Sequence, residues 1–215
     1  HDAQILFLMG DLFDFWHEWK YVVPKGYVRI LGKLAELKDS GIDIYFFVGN
    51  HDLWMKDYLE EEIGIPVFFE KQYYEISGKN FLLAHGDGLG PGDKGYKRMK
   101  KLFTNPIAQW FFKWLHPDIA MKIAVYFSTK NKMISGVEDM KFLGEDKEFL
   151  ILYSKEKLKS EKIDYFVYGH RHLPMILDLK IDENAANYVN LGDWISYFTY
   201  GVFDGAEFKI EEYKQ

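Results

Sequence analysis

Cysteine is absent from these 215 residues, which excludes a disulfide framework and thiolate metal ligands alike and fits a reducing compartment. No run approaches the ~20 apolar residues that span a bilayer, and no stretch has the build of a signal peptide. Gly-rich loops occur, but none matches a P-loop or a dinucleotide fingerprint. No Ser-His-Asp or Cys nucleophile stands out. Internal repeats and low-complexity linkers are missing too. The first residue is His1 rather than Met, and the chain enters an apolar strand almost at once, so the expectation is that further residues precede it.

Hydrophobic residues make up 48% of the chain, enough for one well-buried domain. Charge is unevenly spread. Residues 94–132 hold nine Lys or Arg against one acid, Asp118, so this segment is +8 within a chain of net -6 and leaves -14 on the rest. A basic block inside an acidic protein points to an anionic partner at that block.

Four apolar runs end in the same way. Ile44-Tyr45-Phe46-Phe47-Val48 runs into Gly49-Asn50-His51-Asp52, and Ile5-Leu6-Phe7-Leu8-Met9 into Gly10-Asp11-Leu12-Phe13-Asp14. Phe81-Leu82-Leu83-Ala84 leads to His85-Gly86-Asp87, and Asp164-Tyr165-Phe166-Val167-Tyr168 to Gly169-His170-Arg171-His172. Continuous apolar runs bounded by Gly read as strands buried on both faces, and chemistry in layered α/β proteins collects where strands end. Taken singly, an Asp or Asn after a strand is a turn former and a His is a satisfied buried imidazole. Four such ends together outweigh those readings. Asp11, Asn50, His85, His170 and His172 offer carboxylate, amide and imidazole donors, a mixture suited to Mn, Fe or Zn rather than Mg or Ca. A carboxylate can bridge two ions about 3.5–4 Å apart, the spacing of two-metal hydrolases.

The pattern also sets the expected elements. A helix starting near Pro24 and ending at Gly41 links the first two strands into a parallel β-α-β unit. A short helix spans 53–63, short strands 67–70 and 72–76, and Ser77-Gly78-Lys79-Asn80 is a hairpin turn. Helices fill 96–160, the last from about 137, and strands follow from 164 to the end. The expected fold is α/β, with two sheets packed together and helices outside.

Gly-Asp-x-x-Asp, Gly-Asn-His-Asp, His-Gly-Asp and Gly-His-Arg-His, in that order, resemble the calcineurin-like metallophosphoesterases over essentially the whole chain. Within that superfamily the sequence is most similar to the UDP-2,3-diacylglucosamine hydrolases of lipid A biosynthesis in their Bacteroides-type form. Gly10-Asp11-Leu12-Phe13-Asp14-Phe15-Trp16, the loop from His85 to Tyr96 and the long helical insertion carry that likeness. The resemblance implies a single domain over 1–215, a two-sheet sandwich with a helical lid at about 96–136. It implies Mn2+, with Zn2+ or Fe as substitutes. Asp11 would bridge two ions, Asn50, His85 and His170 would complete the second site, and His172 would belong to the first. His51, oriented by Asp14, would protonate a leaving group. Asp93, Tyr96 and Arg171 would contact substrate, with Trp110 and Phe112 on the lid. The family begins with a strand ending Asp-x-His, which this chain lacks, so the expectation is a filled second site, a weak first one and doubtful activity for the chain as given. His51 stands where the better-known enzymes of this pathway carry Arg.

The lid holds fifteen apolar residues among the 22 from 106 to 127. Ile107, Trp110, Phe111, Trp114 and Leu115 share one helical face, and the plain reading is that this face packs inward. Phe112, off that face and flanked by Lys113 and Lys122, suits an acyl-chain groove or an anionic membrane surface. The implied substrate is a nucleotide-sugar lipid and the implied place the cytoplasmic side of a Gram-negative inner membrane, held peripherally. Nucleic acid is not expected, because the aromatics follow helical spacing rather than a strand path. A phosphodiesterase or phosphatase on a soluble substrate, and a metal-poor binding scaffold, stay open.

Overall fold

The computed structural model describes residues 3–92, 94–139 and 141–214, with side chains described outside 129–140. The chain divides into two units, His1–Glu70 with Lys94–Lys132, and Lys71–Asp93 with Met133–Gln215.

In the first unit, β1 (Ile5–Leu8) pairs in parallel with β2 (Asp43–Phe47), and β2 with β3 (Val67–Phe68). Helix α1 (Val28–Asp39) forms the crossover. It starts four residues after Pro24, because Gly26 takes a φ of 104° and turns the chain first. The short helix α2 (Tyr58–Ile63) also starts late. Residues before it are committed elsewhere, Asp52 to a turn closed by Met55 N–H and Trp54 to a bridge with His17. Phe13, Trp16, Leu34, Ile44, Phe46, Met55 and Leu59 form this unit's core. Strand β1 lies at the sheet edge and is only half-buried, not covered on both faces as its composition suggests.

The same unit contains α3 (Lys94–Phe103) and α4 (Pro106–Lys113), and α5 runs Pro117–Asp139. Asn105 caps α4, its side-chain oxygen accepting from Ile107 N–H at 2.8 Å and Ala108 N–H at 3.3 Å, with Pro106 in the first turn where no donor is needed.

The second unit is built on a five-stranded sheet of order β4-β5-β6-β8-β7, from β4 (Gln72–Ile76), β5 (Lys79–Ala84), β6 (Tyr165–Tyr168), β7 (Met175–Ile181) and β8 (Asn184–Asn190). The inner pairings are parallel and the outer ones antiparallel. Ser77 and Gly78 both take positive φ, 51° and 76°, so the β4–β5 hairpin closes on a two-residue turn of the kind that matches strand twist. Helix α6 (Phe149–Leu158) buries Leu150, Ile151 and Leu158 with Leu82, Phe166 and Tyr188. It begins twelve residues later than expected because Gly144, at φ 94°, and the turn after it break the helix. A ribbon of β9 (Thr199–Phe203) and β10 (Phe208–Glu212) completes the unit, so the described residues form three sheets rather than two. Phe203 packs its ring 5.0 Å from Phe81 and 5.6 Å from Tyr165.

Candidate active site

In the first unit the loops after β1 and β2 are tied by two carboxylates in opposite directions. Asp11 Oδ1 accepts from the His51 backbone N–H at 2.7 Å, and Asp52 Oδ2 accepts from the Leu12 backbone N–H at 3.1 Å. Asp52 Oδ1 also accepts from Gly49 N–H at 2.5 Å. Asp11 itself sits at φ 54°, a left-handed conformation that Asp tolerates better than most residues and that clusters at functional sites. Its close approach explains Gly49, where a Cβ would stand 2.6 Å from the Asp11 backbone nitrogen. Asp11, Asn50 and His51 are thus set by one small network.

His51 Nδ1 lies 2.9 Å from Ser128 Oγ and 3.2 Å from the Asp14 carbonyl, and Ser128 Oγ lies 2.9 Å from that same carbonyl. A carbonyl only accepts, so the serine hydroxyl donates to it and its oxygen receives the His51 Nδ1 proton. Asp14 therefore does bond His51, but through its backbone rather than the carboxylate the sequence suggested. Nε2 of His51 is left as the acceptor.

In the second unit, His85 Nε2 and His170 Nδ1 stand 3.2 Å apart with their rings edge to face. Two ring nitrogens at that spacing fit two ligands on one ion at 2.0–2.1 Å each. Gly86, at φ 117°, sits in a conformation L side chains rarely adopt, and a Cβ there would be tight, 3.0 Å from Leu150 Cδ1 and 3.2 Å from His170 Cβ. Among the described residues no group of three or more His, Asp or Glu side chains gathers closely enough to hold an ion. The donors named from the sequence are shared between the two units, and their chemistry suits a divalent transition metal.

His172 Nδ1 meets Asp193 Oδ2 at 3.2 Å. Asp193 Oδ1 accepts the backbone N–H groups of Ile195, Ser196 and Tyr197 at 3.1, 2.7 and 2.9 Å. Burial alone would raise its pKa, but those three donors and His172 bring it below the usual value. Arg171 behaves otherwise than expected. Its guanidinium is 7% exposed and donates to Glu148 Oε1 at 3.0 Å and the Lys141 carbonyl at 2.8 Å. Glu148 also accepts Leu143 N–H at 3.1 Å. We therefore read Arg171 as holding the loop that leads into α6 rather than as a substrate contact.

The lid is turned round relative to its pattern. Ile107, Trp110, Phe111 and Trp114, the face that one reading packs inward and the other leaves as a lid surface with Trp110 as a contact, are 66, 54, 63 and 74% exposed. Phe112 is the residue that packs. Its ring lies 4.5 Å from Trp54, 5.1 Å from His17 and 6.0 Å from Phe15. Trp54 Nε1 donates to the Phe103 carbonyl at 2.6 Å, which fixes the end of α3 as well. His17 completes this aromatic box. It is buried, neither ring nitrogen has a hydrogen-bond partner among the described residues, and its pKa falls to about 4 through burial first and then the charges of Lys56 and Lys113. Tyr96 is half-buried on the first turn of α3, and Asp93 lies outside the described residues.

Asp52 stands in the Gly49-Asn50-His51-Asp52 strand end without a role assigned from sequence, and the sequence pattern names neither Ser128 nor Asp193. Asp193 follows Val189-Asn190-Leu191-Gly192, again a buried strand running into Gly-Asp, and that signal was there to be read. Ser128 carries no local signal in its helix.

The family model for calcineurin-like phosphoesterases matches residues 1–174. A UDP-2,3-diacylglucosamine hydrolase of Porphyromonas gingivalis is 40% identical over 225 residues, covering 98% of this chain and 84% of that protein. Proteins of the same description from Edwardsiella ictaluri and Yersinia pestis are each 27% identical, covering 89% of this chain and 73% and 78% of theirs. The strand-end donors, the matched family model and this similarity along nearly the whole chain agree: it belongs to the calcineurin-like phosphoesterases.

Proposed function

We propose that this chain is a UDP-2,3-diacylglucosamine hydrolase, cleaving the pyrophosphate of its substrate to UMP and 2,3-diacylglucosamine 1-phosphate. The similarity to hydrolases of that description supports the chemistry. The outward aromatic face of α4 is the observation that carries the lipid half of the reading.

Asp11, Asn50, His85 and His170 would hold one divalent ion and His172 would serve a second, with Mn2+ the metal we assign. When bound, such ions supply a hydroxide at neutral pH and neutralise charge on the phosphoryl oxygens. His51, held through Nδ1 by Ser128, would present Nε2 to the substrate, as an acceptor when the ring is neutral and as a proton donor to the leaving oxygen when the ring is protonated. The sugar phosphate leaves with a second pKa near 6 and needs little proton help. On the lid, each methylene buried contributes about 0.8 kcal/mol, so a few of them dominate affinity. Lys94, Arg98 and Lys101 on α3 and Lys113 on α4 are exposed, and each basic side chain at an anionic surface adds about 1 kcal/mol. No described helix is long and apolar enough to cross a membrane. We propose peripheral contact with the inner membrane through α3 and α4, from the cytoplasmic side of a Gram-negative cell; the exposed aromatic and basic side chains support that reading.

The test compares turnover of diacylated and deacylated UDP-glucosamine by the wild type and by Trp110→Asp with Trp114→Asp. We expect at least a tenfold loss on the diacylated substrate and little change on the deacylated one at saturating concentration. Equal losses, or no native preference for the acylated substrate, would return the reading to a soluble phosphodiesterase.

A further inference from the structure

We infer that Asp193 is a positioning residue that fixes the tautomer of His172, so that Nε2 is the bare nitrogen. The inference rests on the reading of His172 as a metal ligand. The Asp193 carboxylate faces only donors in the contacts that define it: three backbone N–H groups on Oδ1 and the His172 ring on Oδ2. An ionised carboxylate accepts and never donates. The proton between Asp193 Oδ2 and His172 Nδ1 therefore belongs to the ring. With Nδ1 protonated, the neutral imidazole keeps its lone pair on Nε2, the form a metal requires. Ligating histidines commonly have their second nitrogen fixed by a carboxylate in this way. Asp193 is well placed to hold the ring still. Its side chain is 7% exposed against 29% for His172, and its turn is closed by its own three backbone bonds.

The same bonds make one substitution informative. In Asp193→Asn the amide oxygen must face the three backbone N–H groups, because an amide NH2 there would meet donors with donors. The NH2 then points at His172 Nδ1, which must accept, and the proton moves to Nε2. The variant keeps the turn and inverts the tautomer.

The experiment uses full-length protein labelled with 15N-histidine, stripped of metal and kept above pH 7.5, then titrated with Zn2+. We expect the wild type to show His172 protonated at Nδ1, with Nε2 moving on Zn2+ addition. We expect Asp193→Asn to show the Nε2-protonated form, with Zn2+ affinity at that site 10- to 100-fold weaker. Nε2 protonation in the metal-free wild type overturns the inference while leaving the ligand reading intact. Nδ1 protonation with a Nε2 signal that ignores Zn2+ overturns the ligand reading and leaves the tautomer assignment standing. Should the variant fail to fold, the wild-type spectra decide alone.

Discussion

Acid should loosen the lid at His17. This imidazole is 1% exposed, has no hydrogen-bond partner among the described residues, and faces the rings of Trp19 at 4.5 Å, Phe112 at 5.1 Å and Trp54 at 5.2 Å. Its pKa is lowered to about 4 by burial and by Lys56 and Lys113, whereas an unfolded histidine titrates near 6.5. The folded form is thus the one that resists the proton. Below 6.5 the unfolded chain takes up a proton the folded chain refuses, and stability falls as pH falls. Linkage between those two values gives a loss of about 2 kcal/mol by pH 5 and about 3 kcal/mol by pH 4, with the contribution fully present above 6.5. His17→Phe keeps the aromatic filling and removes the titration. Urea unfolding of both proteins at pH 7, 5 and 4 isolates the term, because every other group titrates alike in the two. The variant should gain on the wild type by about 2 kcal/mol between pH 7 and pH 5. Parallel stability curves would refute the reasoning.

Three further outcomes follow from the geometry. Arg171→Met leaves Glu148 buried without its partner and should cost about 3–5 kcal/mol in urea unfolding, while Arg171→Met with Glu148→Leu should recover most of it. Gly49→Ala drives a methyl group onto the Asp11 backbone and should lower metal content and kcat at least tenfold, with the far-UV spectrum retained. Phe112→Ala opens the aromatic box and should cost about 2–4 kcal/mol, seen as faster proteolysis within 94–116, whereas Trp110→Ala, on the exposed face, should change stability by less than about 1 kcal/mol.

The strand-end donors were legible because their signal is local. An apolar run fixes the strand, Gly marks its end, and the next residue has one place to go; Asp11, Asn50 and His170 each follow such a Gly, and His85 directly ends its strand with Gly86 after it. Asp193 obeys it too, but its strand, β8, carries Asn184 and Asn187 and reads as less apolar, so its signal is weaker. The lid misled for a physical reason. Helical periodicity tells which residues share a face but not whether that face meets protein or solvent. Here Phe112 faces the box around Trp54 and His17, and the larger apolar stripe is left outside. The bond from His51 to a carbonyl rather than a carboxylate depends on Ser128, 77 residues away, and no local pattern encodes that.

The crossed carboxylates of Asp11 and Asp52 also constrain how such a sequence can change over time. Each side chain supports the loop that carries the other, so losing either one removes most of what the second was holding. Substitutions at the two positions should therefore be non-additive, the second costing less once the first has been made.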